Sequence, residues 1–397
     1  METNEDITRL TSQFVANTYG RTPITLVRGK GARVWDKSGN SYLDFVTGLA
    51  VDNLGHCHPA VVQAIRKQAG QLIHVSNLYH IEPQSLLAKE LATVSFADKF
   101  FFCNSGTEAN EAAIKLVRRY AHDCGFKNKI DIITMKNSFH GRTMGSLSAT
   151  GQSNFQKGFK PLLPGFKYVP FNNIEALEKV ISKKTCAILI EPIQGEGGVN
   201  LAEKNYLKAL RKICNTNKIV LIFDEVQTGF GRTGHLFAYE RYGVKPDVIT
   251  LAKALGGGMA IGALGATKKI IQSFTPGTHA ATFGGNPVAC AAARASLSVL
   301  TRNKFLESCR ETGGYFLSRL MELRDQVPYI KEVRGAGMML AAELDHPGAN
   351  VVINCMRQGV LINCIQGNIL RFLPPLTVTR KEIDRVVRVL SKSLKLL

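Results

Sequence analysis

The sequence predicts an α/β fold with a mostly parallel central sheet and a smaller, discontinuous α/β domain. Two observations carry this prediction. Residues 219–223 and 248–251 are short, continuous apolar runs that stop at charged or small residues, as strands buried on both faces do. Further apolar runs at 100–103, 130–134 and 186–190 each pass into a polar or glycine-containing loop, and the first is followed by an amphipathic helical pattern. The division expected is 1–55 for the N-terminal part of the small domain, 56–297 for a large cofactor-binding domain and 298–397 for the C-terminal part of the small domain.

Taken in order, residues 1–18 read as a short polar helix suited to packing on a partner subunit. Residues 29–45 alternate and turn like a β-hairpin around Ser38-Gly39-Asn40, and 59–72 read as a helix leading into the large domain. After the strand at 100–103 comes the small-polar loop from Asn104 to Glu108, then a helix with Ala112, Ala113, Leu116, Val117 and Tyr120 on one face. The strand at 130–134 precedes SFHGRT, and the strand at 186–190 precedes Glu191-Pro192 and Gln194-Gly195-Glu196-Gly197-Gly198. From about 298 a second α/β unit follows: a helix at 305–324, a strand at 338–344, a helix near 350, and strands at 360–364 and 368–372. A final helix is capped by Thr379, carries Ile383, Val386, Val387, Leu390 and Leu394 on one face, and has lysines in its last turns.

Composition narrows the function classes. At 397 residues and 45% hydrophobic content the chain can bury two cores. Its formal charge of +19, from 50 basic and 31 acidic residues, suits anionic substrates and a phosphorylated cofactor. The basic residues are dispersed and no basic-aromatic groove pattern appears, so a nucleic-acid partner is not expected. Nine scattered cysteines without a C-x-x-C point to free thiols in a reducing cytosol. His56 and His58 in GHCHP have no second ligand cluster, so no metal is expected. METNEDITRLTSQF is acidic early and lacks an apolar segment, and no run approaches the roughly twenty apolar residues of a membrane span, so the expectation is a cytoplasmic protein.

The chemistry converges on two strand ends. Ligands of open α/β sheets bind outside the carboxyl ends of the strands, where Asp224 and Lys253 fall. A lysine there, followed by Gly256-Gly257-Gly258, is suited to a Schiff base with a carbonyl cofactor, and a carboxylate one strand away suits the pyridinium nitrogen of pyridoxal phosphate. The alternative for each is a surface lysine and a helix-capping aspartate. Ser105, Gly106 and Thr107 sit at a helix N-terminus, as either a phosphate site or a simple cap. Phe139 is a core aromatic or a stacking platform, and Arg142 a surface charge or a carboxylate clamp. Glu196 is an exposed loop acid or a group held on a mobile, glycine-rich loop. Gly229 to Gly234 fits G-x-G-x-x-G, but DEVQT separates it from its strand and no helix follows tightly, so a dinucleotide is not expected.

The segments NSGTEAN, SFHGRT, EPIQGEGG, DEVQTGFGRTG, AKALGGG, TFGGNP and LRFLPPL resemble those of the class III, or ω-amino-acid, PLP-dependent aminotransferases. They stand in the family's order between about 19 and 375, and within that class they are most similar to the acetylornithine aminotransferase branch of arginine biosynthesis. The resemblance implies the PLP-dependent transferase fold type I and pyridoxal 5'-phosphate as cofactor. It implies Lys253 as the catalytic lysine, Asp224 at the pyridine nitrogen, Val226 and Gln227 at the ring, Phe139 stacked on it, and Ser105, Gly106 and Thr107 on the phosphate. At about 3 Å and an effective dielectric near 20, such an acid and a pyridinium attract by roughly 5 kcal/mol. Thr282 is implied to reach the cofactor phosphate of a neighbouring subunit, hence a homodimer with shared active sites.

For substrates, the resemblance implies small amino acids and 2-oxo acids. Tyr19 and Arg142 would meet the α-carboxylate end of an acylated ornithine, while Glu196 pairs with Arg371 and releases it when glutamate binds. Ornithine and succinylornithine aminotransferases are the neighbouring readings. Leu49 stands where the ornithine enzymes usually carry a tyrosine. A non-catalytic binding protein on the same fold would have been supported by loss of Lys253 or Asp224, and both are present.

Overall fold

A computed structural model describes residues 3–395. The core of the fold is a seven-stranded sheet in the order Lys99–Cys103, Gly262–Ala266, Val248–Leu251, Val220–Asp224, Thr185–Ile190, Asp131–Met135, Phe166–Val169. All but Gly262–Ala266 run in one direction, and that strand lies antiparallel to both its neighbours. The mostly parallel sheet is therefore present. Helix Gly106–Asp123 packs across one face through Ala112, Ala113, Leu116 and Val117, all buried, with Tyr120 at the margin of the stripe. Because the strands share a direction, their carboxyl ends gather Cys103, Ile190, Asp224 and Leu251 along one edge.

Two four-stranded sheets and a two-stranded hairpin, Ile193–Gln194 with Asn200–Leu201, complete the molecule. In the first, Leu26–Lys30, Arg33–Asp36 and Ser41–Asp44 form an antiparallel meander, and Val360–Leu361 joins in parallel with Val360 beside Leu43. The hairpin turn falls between Asp36 and Ser41, as expected, but a further strand precedes it. The second is antiparallel, in the order Ile330–Ala336, Met339–Leu344, Ile369–Phe372, Asn363–Ile365. The final helix, Arg380–Leu394, begins at a Thr379–Glu382 capping box and buries the five residues expected.

Several elements differ from expectation. The helix expected at 1–18 spans Asn4–Phe14 and is capped by Thr3, with residues 1 and 2 outside the described residues. The helix expected at 59–72 ends at Ala69. The strand expected at 360–364 is two strands, Val360–Leu361 and Asn363–Ile365, that enter different sheets. Gly262–Ala266 carries no β-branched or aromatic residue, so its strand conformation comes from its two paired neighbours rather than from propensity.

The glycine-rich segment Gly229 to Gly234 is a structural bracket. Arg232, fully buried, donates to the carbonyls of Met338 (2.9 Å) and Pro374 (2.6 Å) and to Asn53, which ties the loop after Asp224 to both ends of the chain. All nine cysteines are free, and Cys103, Cys186, Cys214 and Cys290 are buried. Among the described residues no His/Cys/Asp/Glu group could hold a metal ion, and no helix is long and apolar enough to cross a membrane. His56 instead bonds Asp44 at 2.7 Å.

Candidate active site

Asp224 is the last residue of its strand and stands in register with Thr250, so it and Lys253 leave adjacent strands at the same edge. Both line a cavity of about 440 Å³, a size suited to a small ligand. Lys253 has φ of 47°, in the left-handed region, at the start of a short turn that runs into Gly257 at 55° and Gly258 at 108°. A non-glycine residue held there costs about 1–3 kcal/mol, a strain that concentrates at functional sites. The protein packed around Lys253 pulls its ammonium below the usual lysine range. Of the nearby charges, Glu196 opposes that shift and Arg371 adds to it. A depressed amine is the form a nucleophile needs.

Asp224 is oriented by three donors. Its Oδ2 accepts from Asn110 Nδ2 and from His140 Nδ1, each at 2.8 Å, and its Oδ1 accepts the Val226 amide at 3.0 Å. Asn110 is held in turn, accepting from Thr250 Oγ1 (2.8 Å) and donating to the His140 carbonyl (2.7 Å). Sequence reasoning missed Asn110 and His140, although both lie inside quoted motifs, NSGTEAN and SFHGRT. A lone Asn in the first turns of a helix or a lone His in a polar loop carries no signal of a partner more than eighty positions away.

The loop after Cys103 meets helix Gly106–Asp123 as expected. The Ser105 hydroxyl is its N-cap, accepting from the Glu108 amide at 3.3 Å. The first amides of a helix have no intrahelical partner, so those of Gly106 and Thr107 point along the helix axis toward the cavity they line. The Thr107 hydroxyl lies within a cluster with Thr143 Oγ1 (2.9 Å) and Ser146 Oγ (2.5 Å). A Cβ on Gly106 would sit 2.7 Å from Val226 Cγ1, so only glycine leaves room there.

At the other wall, Arg371 is fully buried and its Nη1 donates to Glu196 Oε1 at 2.5 Å. Gln227 lies beside both, 3.5 Å from each. Burial raises the Glu196 carboxyl, but Arg371 and Lys253 outweigh it and hold the group below the usual range. Arg142 sits over the Phe155 ring at 4.1 Å and over Phe139 at 5.4 Å, at the edge of the same cavity. The cavity thus gathers Ser105, Gly106, Thr107, Phe139, Arg142, Glu196, Asp224, Val226, Gln227 and Lys253, with Arg371 behind Glu196.

Tyr19 and Thr282 are not brought there. Tyr19 is 70% exposed beneath Arg21, and Thr282 lies on an exposed loop four residues before Asn286, whose side chain caps helix Pro287–Leu300. Leu49 also stays exposed, two residues before the cavity-lining Val51.

Glu191 was passed over as a site residue. Its carboxylate accepts the amides of Phe139 (3.0 Å) and Gly195 (3.2 Å), linking the aromatic wall to the Glu196 loop. Burial pushes it up to about 7, with the neighbouring His140 opposing and Asp224 adding to the shift. A carboxyl raised from 4.5 stabilises the fold fully below pH 4.5, and this contribution is lost as pH rises to about 7. Comparing urea unfolding of the protein with that of Glu191→Gln across this interval isolates the effect. The stability difference, wild type minus variant, should decline by up to about 3 kcal/mol as pH rises. A flat difference would refute the assignment.

A half-buried, strained lysine and a carboxylate at adjacent strand ends of a mostly parallel sheet, with a helix N-terminus opposite, define a fold type I transferase site. The chain belongs to the class-III aminotransferases, whose family model, Aminotransferase class-III, matches residues 14–394. It is 54% identical over 379 residues to an acetylornithine aminotransferase of Caldanaerobacter subterraneus subsp. tengcongensis, covering 95% of this chain and 96% of the relative. It is 52% identical over 383 residues to an acetylornithine aminotransferase of Methanocaldococcus jannaschii, covering 96% of each. The solved ornithine aminotransferase of Toxoplasma gondii is similar with a TM-score of 0.96 at 34% identity, over 100% of this chain and 96% of that one. The chain is an aminotransferase, and the resemblance seen in its motifs extends over nearly its whole length.

Proposed function

We propose that the protein transfers the ω-amino group of N-acetylornithine to 2-oxoglutarate, giving N-acetylglutamate semialdehyde and glutamate reversibly, with pyridoxal 5'-phosphate as cofactor. The observation that carries this reading is Arg371, buried behind the cavity-lining Glu196 and neutralised by it on a glycine-rich loop. The names of the two relatives at 54% and 52% identity support the choice of substrate.

The cavity residues fit the cofactor. Asp224 supplies the buried anion a protonated pyridine nitrogen needs, the Gly106 and Thr107 amides and the Ser105 side of the loop supply a phosphate cradle, and Phe139, Val226 and Gln227 flank the space between. When bound, the cofactor supplies an electron sink for the carbon that loses its proton. Lys253 would hold the cofactor through Nζ, give way to the substrate amine, and then take and return the substrate proton at Nζ. Arg142 would receive the α-carboxylate of the acylated substrate at the cavity edge. Arg371 would receive the α-carboxylate of glutamate once Glu196 turns away. With Glu196 in place the pocket presents a neutral pair to a methylene chain and avoids the cost of an unpaired buried charge.

A homodimer with shared sites is part of the proposal. Thr282 and Tyr19 lie outside their own chain's cavity. Next to Thr282 the exposed Phe283 ring meets His74 at 5.2 Å, Asn77 donates to the Ala281 and Gly284 carbonyls at 3.2 and 2.9 Å, and the segment so tied to the Thr282 loop exposes Ile73, Leu78 and Tyr79. Such a surface marks an interaction site.

The test is single-turnover change of cofactor absorbance with N-acetylornithine, ornithine, 4-aminobutyrate and glutamate at equal concentration. N-acetylornithine and glutamate should react fastest. Fastest reaction with ornithine or 4-aminobutyrate would overturn the substrate assignment. In Glu196→Ala the N-acetylornithine half-reaction should slow relative to that of glutamate by about tenfold or more, the discrimination that roughly 1.4 kcal/mol provides. Equal losses in both would refute the Glu196 switch.

A further inference from the structure

The loop that carries Glu196 is held by its backbone as well as by its side chain. Three successive carbonyls each accept from a side chain: Glu196 from Gln366 Nε2 (2.7 Å), Gly197 from Asn200 Nδ2 (3.0 Å), and Gly198 from both Nε (3.0 Å) and Nη2 (2.8 Å) of Arg334. The remaining nitrogen of Arg334, Nη1, pairs with Glu332 (2.8 Å) and Glu343 (2.7 Å), so the whole guanidinium is committed and its plane is set. Only 13% of the Arg334 side chain is exposed.

Arg334 and Arg371 occupy one row of one sheet. Arg334 pairs across to Ala341, and Ala341 pairs across to Arg371. Directly opposed residues of an antiparallel sheet project to the same face, so the two guanidiniums stand side by side, about 10 Å apart at the backbone. One grips the Glu196 carboxylate and the other grips the backbone two residues later. Gln366, in the turn between Asn363–Ile365 and Ile369–Phe372, adds a third contact from the same sheet. Residues 195–199 connect the two short strands of the Ile193–Gln194/Asn200–Leu201 hairpin, and with Gly198 at φ of 126° the loop between them is shaped by glycine and by these contacts.

We propose that Arg334, assisted by Gln366, is a positioning residue that sets the specificity of the two half-reactions. By fixing the backbone around Glu196 it keeps that carboxylate within reach of Arg371, so that the paired state is the resting one and release is a side-chain movement. This inference rests on the proposed alternation of Glu196. Without the clamp the loop drifts, Arg371 is more often free, and carboxylate substrates gain at the expense of the acylated amine.

The experiment measures both half-reactions by rapid mixing in the PLP-loaded enzyme for Arg334→Met, Gln366→Leu, Glu196→Ala and the Arg334→Met/Glu196→Ala double variant. In Arg334→Met the ratio of glutamate to N-acetylornithine rate constants should rise about fivefold or more, the scale expected when charge-assisted hydrogen bonds are lost, with KM for glutamate falling. Gln366, on an exposed turn, gives a smaller shift in the same direction and keeps the test open if Arg334→Met folds poorly. The Arg334→Met effect should vanish in the Glu196→Ala background. Equal slowing of both half-reactions in Arg334→Met and an unchanged ratio in Gln366→Leu, while Glu196→Ala still separates the two, overturns the clamp alone. An unchanged ratio in Glu196→Ala overturns the alternation and the clamp with it.

Discussion

Lys253→Ala should yield a folded protein that turns over at least roughly 10⁴-fold more slowly, because the variant loses both the amine proposed to hold the cofactor and the base proposed to move the substrate proton. The fold should survive. Alanine at the φ of 47° meets the same backbone penalty as lysine, since both carry a Cβ. Removing the ammonium also removes the burial that depresses it, and Glu196 keeps its partner in Arg371. The thermal midpoint is therefore expected at or above that of the parent. Steady-state turnover alongside a melt separates the two effects, and near-normal turnover would refute the assignment of Lys253. The absorbance band of the lysine-bound cofactor should disappear as well.

Asp224→Asn should lower kcat on the order of 10³-fold with KM little changed. The substitution keeps the shape of the side chain but removes the charge proposed to keep the pyridine nitrogen protonated, an interaction of roughly 5 kcal/mol. It also places an amide among three donors, Asn110, His140 and the Val226 amide, where a carboxylate accepts from all of them. Asp224→Glu retains the charge with displaced geometry and should recover part of the loss. A fall of less than tenfold in Asp224→Asn would show that the charge is not needed at this place.

The legible parts of the fold were those written in short windows. Apolar runs such as 186–190 and 219–223 announced buried strands because every residue in them is buried. The final helix was legible through its stripe and its Thr379–Glu382 capping box. Gly262–Ala266 was silent because small residues have no preference of their own. The strand Ile330–Ala336, half exposed and interrupted by charge, lacked a clean period. In the site, Lys253 and Asp224 were readable from their place at strand ends. Asn110, His140 and Glu191 were not, because their roles consist of contacts with residues distant in the chain.

The sequence by itself determined the α/β class, the strand-end location of the lysine and the acid, and the family, since each depends on local composition or on ordered motifs. The tertiary structure alone decided that Arg371 is buried against a glutamate 175 positions away, and that Arg334 stands in the same row of the same sheet. It also decided that Tyr19 and Thr282 lie outside their own chain's cavity. The physical reason is that burial, pairing and register depend on which segments meet. A charged side chain reads the same in the sequence whether water or an opposite charge surrounds it, and only the packed chain specifies which.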